Sequence, residues 1–378
     1  MTTPTGDQPR GTGRGKRVTI ADIARRAGVT SAAVSLAVNG RPGVSDATRE
    51  RILQIARELQ WEPSHAARAL AGAPVKTVGM VLARPAEVLG AEAFFGAFVA
   101  GLQEVLSAAD YSLQMKIVDS TEAEIDTYRR WFGQRRVDGV VLVDLQVEDP
   151  RIPALEKLGQ PALVVGGPGH HGSLPAVYVD DAEATRLIVE HLAAQGHTRI
   201  ARVAGTAEFL HTIQRNRTFT RLCEELGLEC IQQDAGYGAA GAARATAEVL
   251  RLPSPPTAIV FDSDEMALAG AYVLRERTVR IPEGVAVVSY EDSPLTRGHH
   301  PPITAVRRSA VEYGRAAARR MLEVIDAAAG RRTGPSSVEP GPHAEDRVIE
   351  PQLAVRASTD PSLLGVAHAD LAAGLDAS

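Results

Sequence analysis

The chain has 378 residues and a formal net charge of −5. This length exceeds the roughly 250–300 residues at which a single core stops growing, so it predicts two or three domains. Hydrophobic residues make up 44% of the chain and charged residues 23%, which is ordinary for a soluble globular protein. No apolar run reaches the about 18 residues of a membrane span, and no apolar segment follows the basic N-terminal residues as in a secretory signal. These features predict a cytoplasmic protein.

The charge is unevenly distributed along the chain. Residues 1–72 contain eleven Lys and Arg against six Asp and Glu, whereas residues 73–378 contain thirty against forty. A positive N-terminal part on a negative body indicates that only the N-terminal part binds a polyanion.

The N-terminal part begins with a segment, residues 1–17, that is rich in Gly, Pro and Thr and ends on basic residues. Such a composition cannot bury enough apolar surface to fold, so we expect a disordered basic arm. Helical patterns follow at 20–27, 31–38 and 46–59, within an expected domain at 18–62. Thr19 is predicted to cap the first helix together with Asp22, and Ser45 to cap the third.

The first two of these helices predict a helix-turn-helix. They are short and meet at a turn that contains Gly28, which is the pattern of that DNA-binding motif. Apolar residues recur at helical spacing on all three helices and predict one small core. These core residues are Ile20, Ile23, Ala24, Ala27, Val29, Val34, Val38, Ile52, Ile55 and Leu59.

The pattern changes after Pro74. Short, nearly continuous apolar runs such as "TVGMVLA", "VDGVVLV", "TAIVFD" and "GVAVVSY" alternate with helical stretches. Strands of this kind belong to parallel sheets that helices cover on both faces. Their number predicts two similar α/β lobes, each a doubly wound parallel sheet, over residues 75–360. Residues 330–346 are predicted as a loop, 348–359 as a final strand and 361–378 as a frayed tail.

Cys223 and Cys230 are the chain's two cysteines. They lie seven positions apart and form no C-x-x-C pair, so the sequence predicts reduced thiols in a cytosolic protein.

The segment from Val18 to Gly72, "VTIADIARRAGVTSAAVSLAVNGRPGVSDATRERILQIARELQWEPSHAARALAG", resembles the headpiece of the lactose-repressor (LacI-type) family of bacterial transcription regulators. The chain to about residue 360 is similar to that family's effector-binding core, which is itself similar to periplasmic sugar-binding proteins. "VEHLAAQGHTRIARVAG", "PPTAIVFDSDEMALAG", "VVSYEDSPL" and "PPITAVRRS" carry this second resemblance.

The resemblance implies how the headpiece contacts double-stranded DNA. It makes Ser31, Ala32 and Leu36 the residues that read bases in the major groove, and it places phosphate contacts at Thr19, Thr30, Ser35 and Asn39. Many family members have arginine where this chain has Leu36, and arginine can grip guanine through two hydrogen bonds. The second helix of this chain instead offers hydroxyl groups and apolar surface. We therefore expect contacts with thymine methyl groups and a larger share of specificity in the hinge.

"PSHAARALAG" resembles the family's hinge helix, expected within residues 63–74. Leu70 corresponds to the leucine that enters the minor groove, with Ala67 and Arg68 beside it. A helix this short is marginal in water, so we expect it to fold when two chains hold it against DNA, where an apolar wedge kinks the duplex. A simple linker is the alternative. The hinge helix implies a homodimer on a near-palindromic operator.

Polar residues follow the predicted core strands where doubly wound sheets bind ligands. Phe94 and Phe95 open the first core helix, and Arg215 aligns by resemblance with an arginine that clamps the effector. Guanidinium and carboxylate groups suit polyhydroxylated ligands, because hydroxyls donate and accept at once. We therefore expect a sugar, although Ser263 stands where Asn is common and Glu291 where Asp is usual. The predicted effector-binding residues are Arg84, Phe94, Phe95, Asp144, Arg215, Ser263, Asp264 and Glu291.

The favoured function is therefore a transcriptional regulator, most simply a repressor, controlled by a small-molecule effector and acting at the nucleoid. A solute-binding protein and an α/β enzyme are the alternatives. "GPGHHG" at 167–172 has dinucleotide-loop spacing but leads into an extended segment rather than a helix. The adjacent histidines at 170–171 and 299–300 lack the spacing of a zinc site. No catalytic motif, cofactor or metal is expected.

Replacing Leu36 by Arg tests how the second helix reads DNA. Leu36→Arg should shift preference toward operators with guanine at the contacted position, by roughly 1–3 kcal/mol, because it adds a bidentate donor. Fluorescence anisotropy over a panel of operator variants measures this shift. Unchanged binding across the panel would refute the assignment of Leu36.

Overall fold

The computed structural model describes residues 18–38, 42–61, 74–84, 93–330 and 347–364, with the side chains of 347 and 348 excepted. Contacts divide the chain into two compact units, residues 1–75 and 76–378. The predicted arm at 1–17, Asn39, the hinge residues Ala67, Arg68 and Leu70, and most of the tail lie outside the described residues.

The described part of the N-terminal unit contains three helices: α1 (Ile20–Ala27), α2 (Ser31–Val38) and α3 (Asp46–Glu58). The Asp22 carboxylate accepts hydrogen bonds from the Thr19 backbone N–H at 3.0 Å and from its hydroxyl at 2.7 Å, so the predicted cap of α1 is confirmed. Gly28 ends α1 with a φ of 65°, a left-handed conformation that glycine adopts without strain. Ile23, Val34 and Ile52 are fully buried at the centre. The predicted three-helix core is confirmed.

The core unit contains two lobes. The first lobe has a six-stranded sheet in the order β11-β5-β4-β3-β1-β2, and every pair in it is parallel. Its strands are β1 (Thr77–Leu82), β2 (Ser112–Ile117), β3 (Gly139–Leu142), β4 (Ala162–Val165), β5 (Ala176–Val179) and β11 (Arg347–Ile349). Its helices are α4 (Ala93–Ala108), α5 (Thr121–Gly133), α6 (Arg151–Leu158) and α12 (Ala310–Ala328).

The second lobe has a six-stranded sheet in the order β12-β10-β9-β8-β6-β7. Its strands are β6 (Arg199–Ala204), β7 (Glu229–Asp234), β8 (Ala258–Phe261), β9 (Ala286–Ser289), β10 (Thr304–Arg307) and β12 (Gln352–Ala354). Its helices are α7 (Asp181–Ala194), α8 (Leu210–Leu226), α9 (Ala239–Val249), α10 (Asp264–Glu276) and α11 (Pro294–Gly298). The predicted parallel order holds except at β12, which pairs antiparallel with β10.

Burial on both faces explains why the strands are apolar without alternation. In β1, Val78, Met80 and Leu82 pack against α4 and α12, whereas Val81 packs with Tyr128 and Trp131 of α5. A strand covered on both sides is therefore a nearly continuous apolar run.

The predicted single strand at 348–359 is wrong. The segment forms β11 in the first lobe and β12 in the second, with Glu350 and Pro351 between them. Pro351 has no N–H to donate to a continuous ladder. Among the described residues the chain also passes between the lobes at Asp180–Asp181 and at Arg308–Ser309. The two lobes are therefore joined by several segments of chain.

The prediction of reduced thiols is also wrong for this structure. Cys223, near the end of α8, and Cys230, in β7, form a disulfide with their Cα atoms 6.2 Å apart. Gly227, with a φ of 67°, ends α8 and turns the chain back along the helix. The seven-residue spacing matches no cysteine motif, but a helix end, a glycine and a strand supply the required proximity.

Two glycines set how closely α4 and α12 approach each other. A Cβ atom at Gly101 would clash with the carbonyl oxygen of Val311, and one at Gly314 would clash with that of Phe98. Gly101→Ala should therefore destabilise the core unit by about 1–3 kcal/mol through overpacking. Thermal unfolding followed by calorimetry measures the change.

Gly96 provides the matched control on the same helix, since a Cβ atom there meets nothing within 4 Å. Gly96→Ala should be neutral or stabilising by up to about 1 kcal/mol, because alanine favours the helix. Equal effects of the two substitutions would contradict the close approach.

Candidate effector pocket and DNA-binding face

A cavity of about 110 Å³ lies between the two lobes of the core unit. It faces the point in each sheet where the strand order reverses, between β1 and β3 in the first lobe and between β6 and β8 in the second. Doubly wound sheets bind ligands at this switch point. A single water needs only about 10–15 Å³ on a comparable measure, so the cavity accommodates a small molecule.

All eight predicted effector-binding residues line this cavity. They reach it from the ends of β1, β3, β8 and β9 and from helices α4, α8 and α10. The eight are Arg84, Phe94, Phe95, Asp144, Arg215, Ser263, Asp264 and Glu291.

The sequence analysis did not single out several other lining residues. Asp181 follows β5 and Arg308 follows β10, so the same strand-end rule would have found them. Tyr178, His211, Tyr237 and Tyr313 also line the cavity. Asp292, which follows Glu291, does not; it pairs with Arg356 at 2.9 Å.

Arg84 and Asp144 form a largely buried, bidentate ion pair. Arg84 donates from Nε and Nη2 to the two oxygens of Asp144, each at 2.6 Å. Charge-assisted pairs of this geometry fix both side chains. Arg84 and Asp144 therefore bond to each other at the cavity wall.

Arg215 lies on a platform of buried groups. It donates from Nε to the Asp181 carboxylate at 2.7 Å, and its Cζ lies 4.2 Å from the centre of the Tyr290 ring. Tyr290 in turn shares a 2.7 Å hydrogen bond with Thr185. Arg215 is 1% exposed, so its guanidinium group is held without access to bulk water.

Glu291 forms an ion pair with Arg308. Arg308 donates from Nη2 to Glu291 Oε2 at 2.9 Å, and its Cζ lies 5.4 Å from the Phe94 ring centre. Burial raises the pKa of Glu291, and the neighbouring Arg308 opposes that rise. The Glu291 side chain, which is longer than the Asp usual in the family, thus pairs with Arg308, an arginine that the sequence analysis had not identified.

Asp262 is a structural group that supports the floor of the cavity. Both of its oxygens accept from Arg202 at 2.7 Å, and Oδ2 also accepts from the Gly205 N–H at 2.8 Å. Arg202 itself is fully buried. Burial opposes ionisation of Asp262, but Arg202 and Arg215 outweigh it and lower its pKa.

Three polar atoms of the lining are buried without a hydrogen-bond partner among the described residues. They are Arg215 Nη1, Arg308 Nε and Asp264 Oδ2. Asp264 Oδ1 accepts from the adjacent Glu265 N–H at 2.9 Å, and Ser263 caps α10 by accepting from Met266 N–H. Buried polar groups are normally paired, so these two donors and one acceptor mark the part of the cavity wall suited to a polar ligand.

His211 adds a neutral group to the wall. Burial, with the surrounding arginines, lowers the pKa of His211 well below its usual value. Its Nε2 shares a 2.7 Å hydrogen bond with the Tyr237 hydroxyl.

The second helix of the N-terminal unit exposes small residues. Thr30, Ser31 and Ala32 are exposed, whereas Ser35 and Leu36 are half-buried. Thr30 caps α2, since its hydroxyl accepts from the Ala33 N–H at 3.2 Å. A Cβ atom at Gly43 would lie 3.3 Å from Leu36 Cδ1, so Leu36 lies beside the turn before α3. Thr19 is exposed at the start of α1.

Comparison with known proteins identifies the family. The profile described as "Bacterial regulatory proteins, lacI family" matches residues 19–64, and that of a "Periplasmic binding protein-like domain" matches 189–359. The HTH-type transcriptional regulator CelR of Thermobifida fusca is 30% identical over 351 residues, covering 91% of this chain and 99% of the relative. The chain belongs to the LacI family. It is a DNA-binding transcriptional regulator with a periplasmic-binding-protein-like core.

Other LacI-family proteins match over similar spans. MalR of Streptomyces coelicolor is 30% identical, covering 90% of this chain and 96% of the relative. The solved structure of a CelR–cellobiose complex is 29% identical with a TM-score of 0.64, covering 90% of this chain and 100% of that one. The lac repressor dimer bound to operator and the anti-inducer ONPF is 23% identical with a TM-score of 0.76, covering 91% and 99%. None of the described helices of this LacI-family chain is long and apolar enough to cross a membrane.

Removing the charge of Asp262 tests its structural assignment. Asp262→Asn should destabilise the core unit by roughly 3–5 kcal/mol, because it leaves the buried Arg202 without its counter-charge. The difference should be full above the carboxylate's unfolded pKa of about 3.9 and shrink at lower pH, since the folded pKa is depressed. Thermal unfolding at pH 7 and pH 3.5 measures both effects.

Glu225→Gln is the matched control, because the Arg221–Glu225 pair at 2.8 Å is more than half exposed on both sides. An exposed pair contributes little, so this variant should unfold as the wild type does. Equal losses in the two variants would contradict the role of Asp262.

Proposed function

We propose that this LacI-family regulator is a repressor that binds a near-palindromic operator as a homodimer. Its operator affinity changes when a neutral saccharide binds in the cavity between the lobes. Such a protein acts in the cytoplasm, at the nucleoid.

The observation that carries the ligand class is a set of buried cavity atoms that lack a hydrogen-bond partner among the described residues. Arg215 Nη1 and Arg308 Nε offer donors and Asp264 Oδ2 an acceptor, close to the ring of Phe94. Vicinal hydroxyl groups both donate and accept, and the aromatic face covers the apolar side of a sugar ring. The CelR–cellobiose complex among the relatives supports the same class.

The charges of the lining favour a neutral ligand over an anionic one. Three arginines face five carboxylates: Asp144, Asp181, Asp262, Asp264 and Glu291. The fully buried Arg202 does not line the cavity but pairs with Asp262. Counting it, four arginines stand against five carboxylates. A phosphorylated sugar or a sugar acid would add a further negative charge to this excess.

The DNA contacts remain those that the resemblance implies. Ser31, Ala32 and Leu36 would read bases, and Thr19, Thr30, Ser35 and Asn39 would contact phosphates. Exposure of Thr19, Thr30, Ser31 and Ala32 supports these roles. Ala67, Arg68 and Leu70 would form the hinge helix in the minor groove. Two headpieces per dimer would then match the two halves of a palindrome, as the lac repressor dimer on its operator illustrates.

A binding function is favoured over catalysis by the way the acidic groups are used. Asp144, Asp262 and Glu291 each accept hydrogen bonds from an arginine, so all three carboxyl groups are engaged in ion pairs within the protein. The relatives are transcriptional regulators. The protein is therefore proposed to be a non-enzyme.

Fluorescence anisotropy with DNA from upstream of the protein's own gene tests the proposal at about 0.15 M salt. The dimer should bind one site at least a thousandfold more tightly than scrambled DNA. One of a panel of neutral mono- and disaccharides should change that affinity, whereas glucose 6-phosphate should not. Equal binding to both DNAs would overturn the proposed operator specificity. No response to any saccharide in the panel would overturn the proposed effector class.

Asp264→Asn tests the cavity as the effector site. It should weaken saccharide binding ten- to a hundredfold, because a hydrogen bond to a charged acceptor contributes about 1.5–3 kcal/mol. Operator affinity without saccharide should stay unchanged. Asp126→Asn is the control, since Asp126 is exposed on α5 and pairs only with the exposed Arg129 among the described residues. Calorimetric titration with the responding saccharide separates the two variants.

A further inference from the structure

Arg84 lies between aromatic rings contributed by both lobes. Its Cζ is 5.0 Å from the ring centre of Phe95, 5.1 Å from that of Phe209 and 5.6 Å from that of Tyr237. Phe95 is on α4 of the first lobe, whereas Phe209 and Tyr237 belong to the second. Each distance is within the about 6 Å over which a cation is attracted to a ring face.

The first lobe holds Arg84 firmly in this position. Arg84 and Asp144 are joined by two hydrogen bonds of 2.6 Å. A second ion pair, between the buried side chains of Glu124 and Arg151, holds the backbone next to Arg84 and at Asp144. Glu124 accepts from the N–H of Ala83 at 2.8 Å, and Arg151 donates to the carbonyl of Asp144 at 2.8 Å and to Glu124 at 2.9 Å.

The second lobe holds its rings equally firmly. Phe209, His211 and Tyr237 lie with their ring centres 5.6–6.3 Å apart. A Cβ atom at Gly205 would lie within van der Waals radii of the Tyr237 ring, so that ring rests on the backbone. The Leu210 N–H donates to the Leu145 carbonyl at 2.8 Å, which ties Phe209 to the segment that follows Asp144.

We infer that Arg84 sets the size of the ligand by filling the compartment between Phe95, Phe209 and Tyr237. Aromatic faces with one carboxylate are the surroundings that a sugar ring needs for stacking and hydrogen bonding. A second ring could occupy this compartment only by displacing the guanidinium group and breaking its pair with Asp144. The wild type therefore takes a one-ring saccharide in the remaining cavity. This inference rests on the proposed saccharide effector.

Arg84→Ala tests the inference by emptying the compartment. In calorimetric titrations of the full-length protein, the wild type should bind its best monosaccharide at least tenfold more tightly than cellobiose or maltose. In Arg84→Ala the affinity for at least one of these disaccharides should rise tenfold or more. Arg84→Gln, which keeps a donor for Asp144, should show a smaller gain and serves if the alanine variant does not unfold cooperatively.

Arg129→Ala is the matched control, because Arg129 is an exposed arginine on α5 that pairs with Asp126 at 3.0 Å. It should leave both affinities unchanged. A wild type that binds a disaccharide as tightly as any monosaccharide, or an Arg84→Ala variant with no gain, overturns the inference.

Ethylguanidinium at low millimolar concentration provides a readout that needs no saccharide. It should raise the melting temperature of Arg84→Ala, compete with any disaccharide that binds it, and leave the wild type unchanged. If no saccharide binds either protein but ethylguanidinium stabilises the variant, the occupied compartment is supported and the proposed saccharide class is wrong. Absence of this rescue overturns the compartment itself.

Discussion

Pairing of buried guanidinium and carboxylate groups is the constraint on which this core depends. Arg202 with Asp262 and Arg84 with Asp144 lie at the points where the strand order of each sheet reverses. Buried ion pairs often contribute no more stability than apolar residues of the same volume would, whereas loss of one partner is severe. Their value here is positional, because each pair fixes polar groups at the edge of a cavity that apolar side chains could not orient.

The two sheets contribute to that cavity in different ways. The first lobe supplies the aromatic residues of α4 and the Arg84–Asp144 pair, and a second buried pair, Glu124 with Arg151, holds their backbone. The second lobe supplies Arg215 and Asp264, each with one buried polar atom that has no hydrogen-bond partner in the described part of the chain. The Arg84 and Asp144 side chains of the first lobe, by contrast, bond to each other.

Most of the fold and the strand-end residues of the pocket could be derived from the sequence for a geometric reason, whereas Phe94, Phe95 and Arg215 followed from the family resemblance. Parallel strands all end at one edge, so the residues after "VVLV", "AIVF" and "VVSY" had to converge, and they do. Arg308 was missed because it follows β10, a short strand that the apolar pattern did not single out. The partners of Arg84 and Glu291 were not predictable either, since side-chain pairing depends on distances between segments far apart in sequence.

The errors have equally specific causes. The segment 348–359 is predicted as one strand because only Glu350 and Pro351 separate β11 from β12, and the apolar pattern does not say that they belong to different sheets. Cys223 and Cys230 show no motif, and their contact arises from the turn at Gly227. The base-reading, phosphate-contact and hinge assignments all stay predictions. Of the residues concerned, Asn39, Ala67, Arg68 and Leu70 also fall outside the described residues.

Asp181 and Arg308 occupy an unusual position, since both lie where the polypeptide crosses from one lobe to the other and both line the cavity. Any rotation of one lobe against the other must bend these same stretches. A bound molecule that accepts a hydrogen bond from Arg308 Nε would therefore contact one of the segments that connect the two lobes. Under the proposed function, ligand recognition at Arg308 and any change in the angle between the lobes would involve the same stretch of chain.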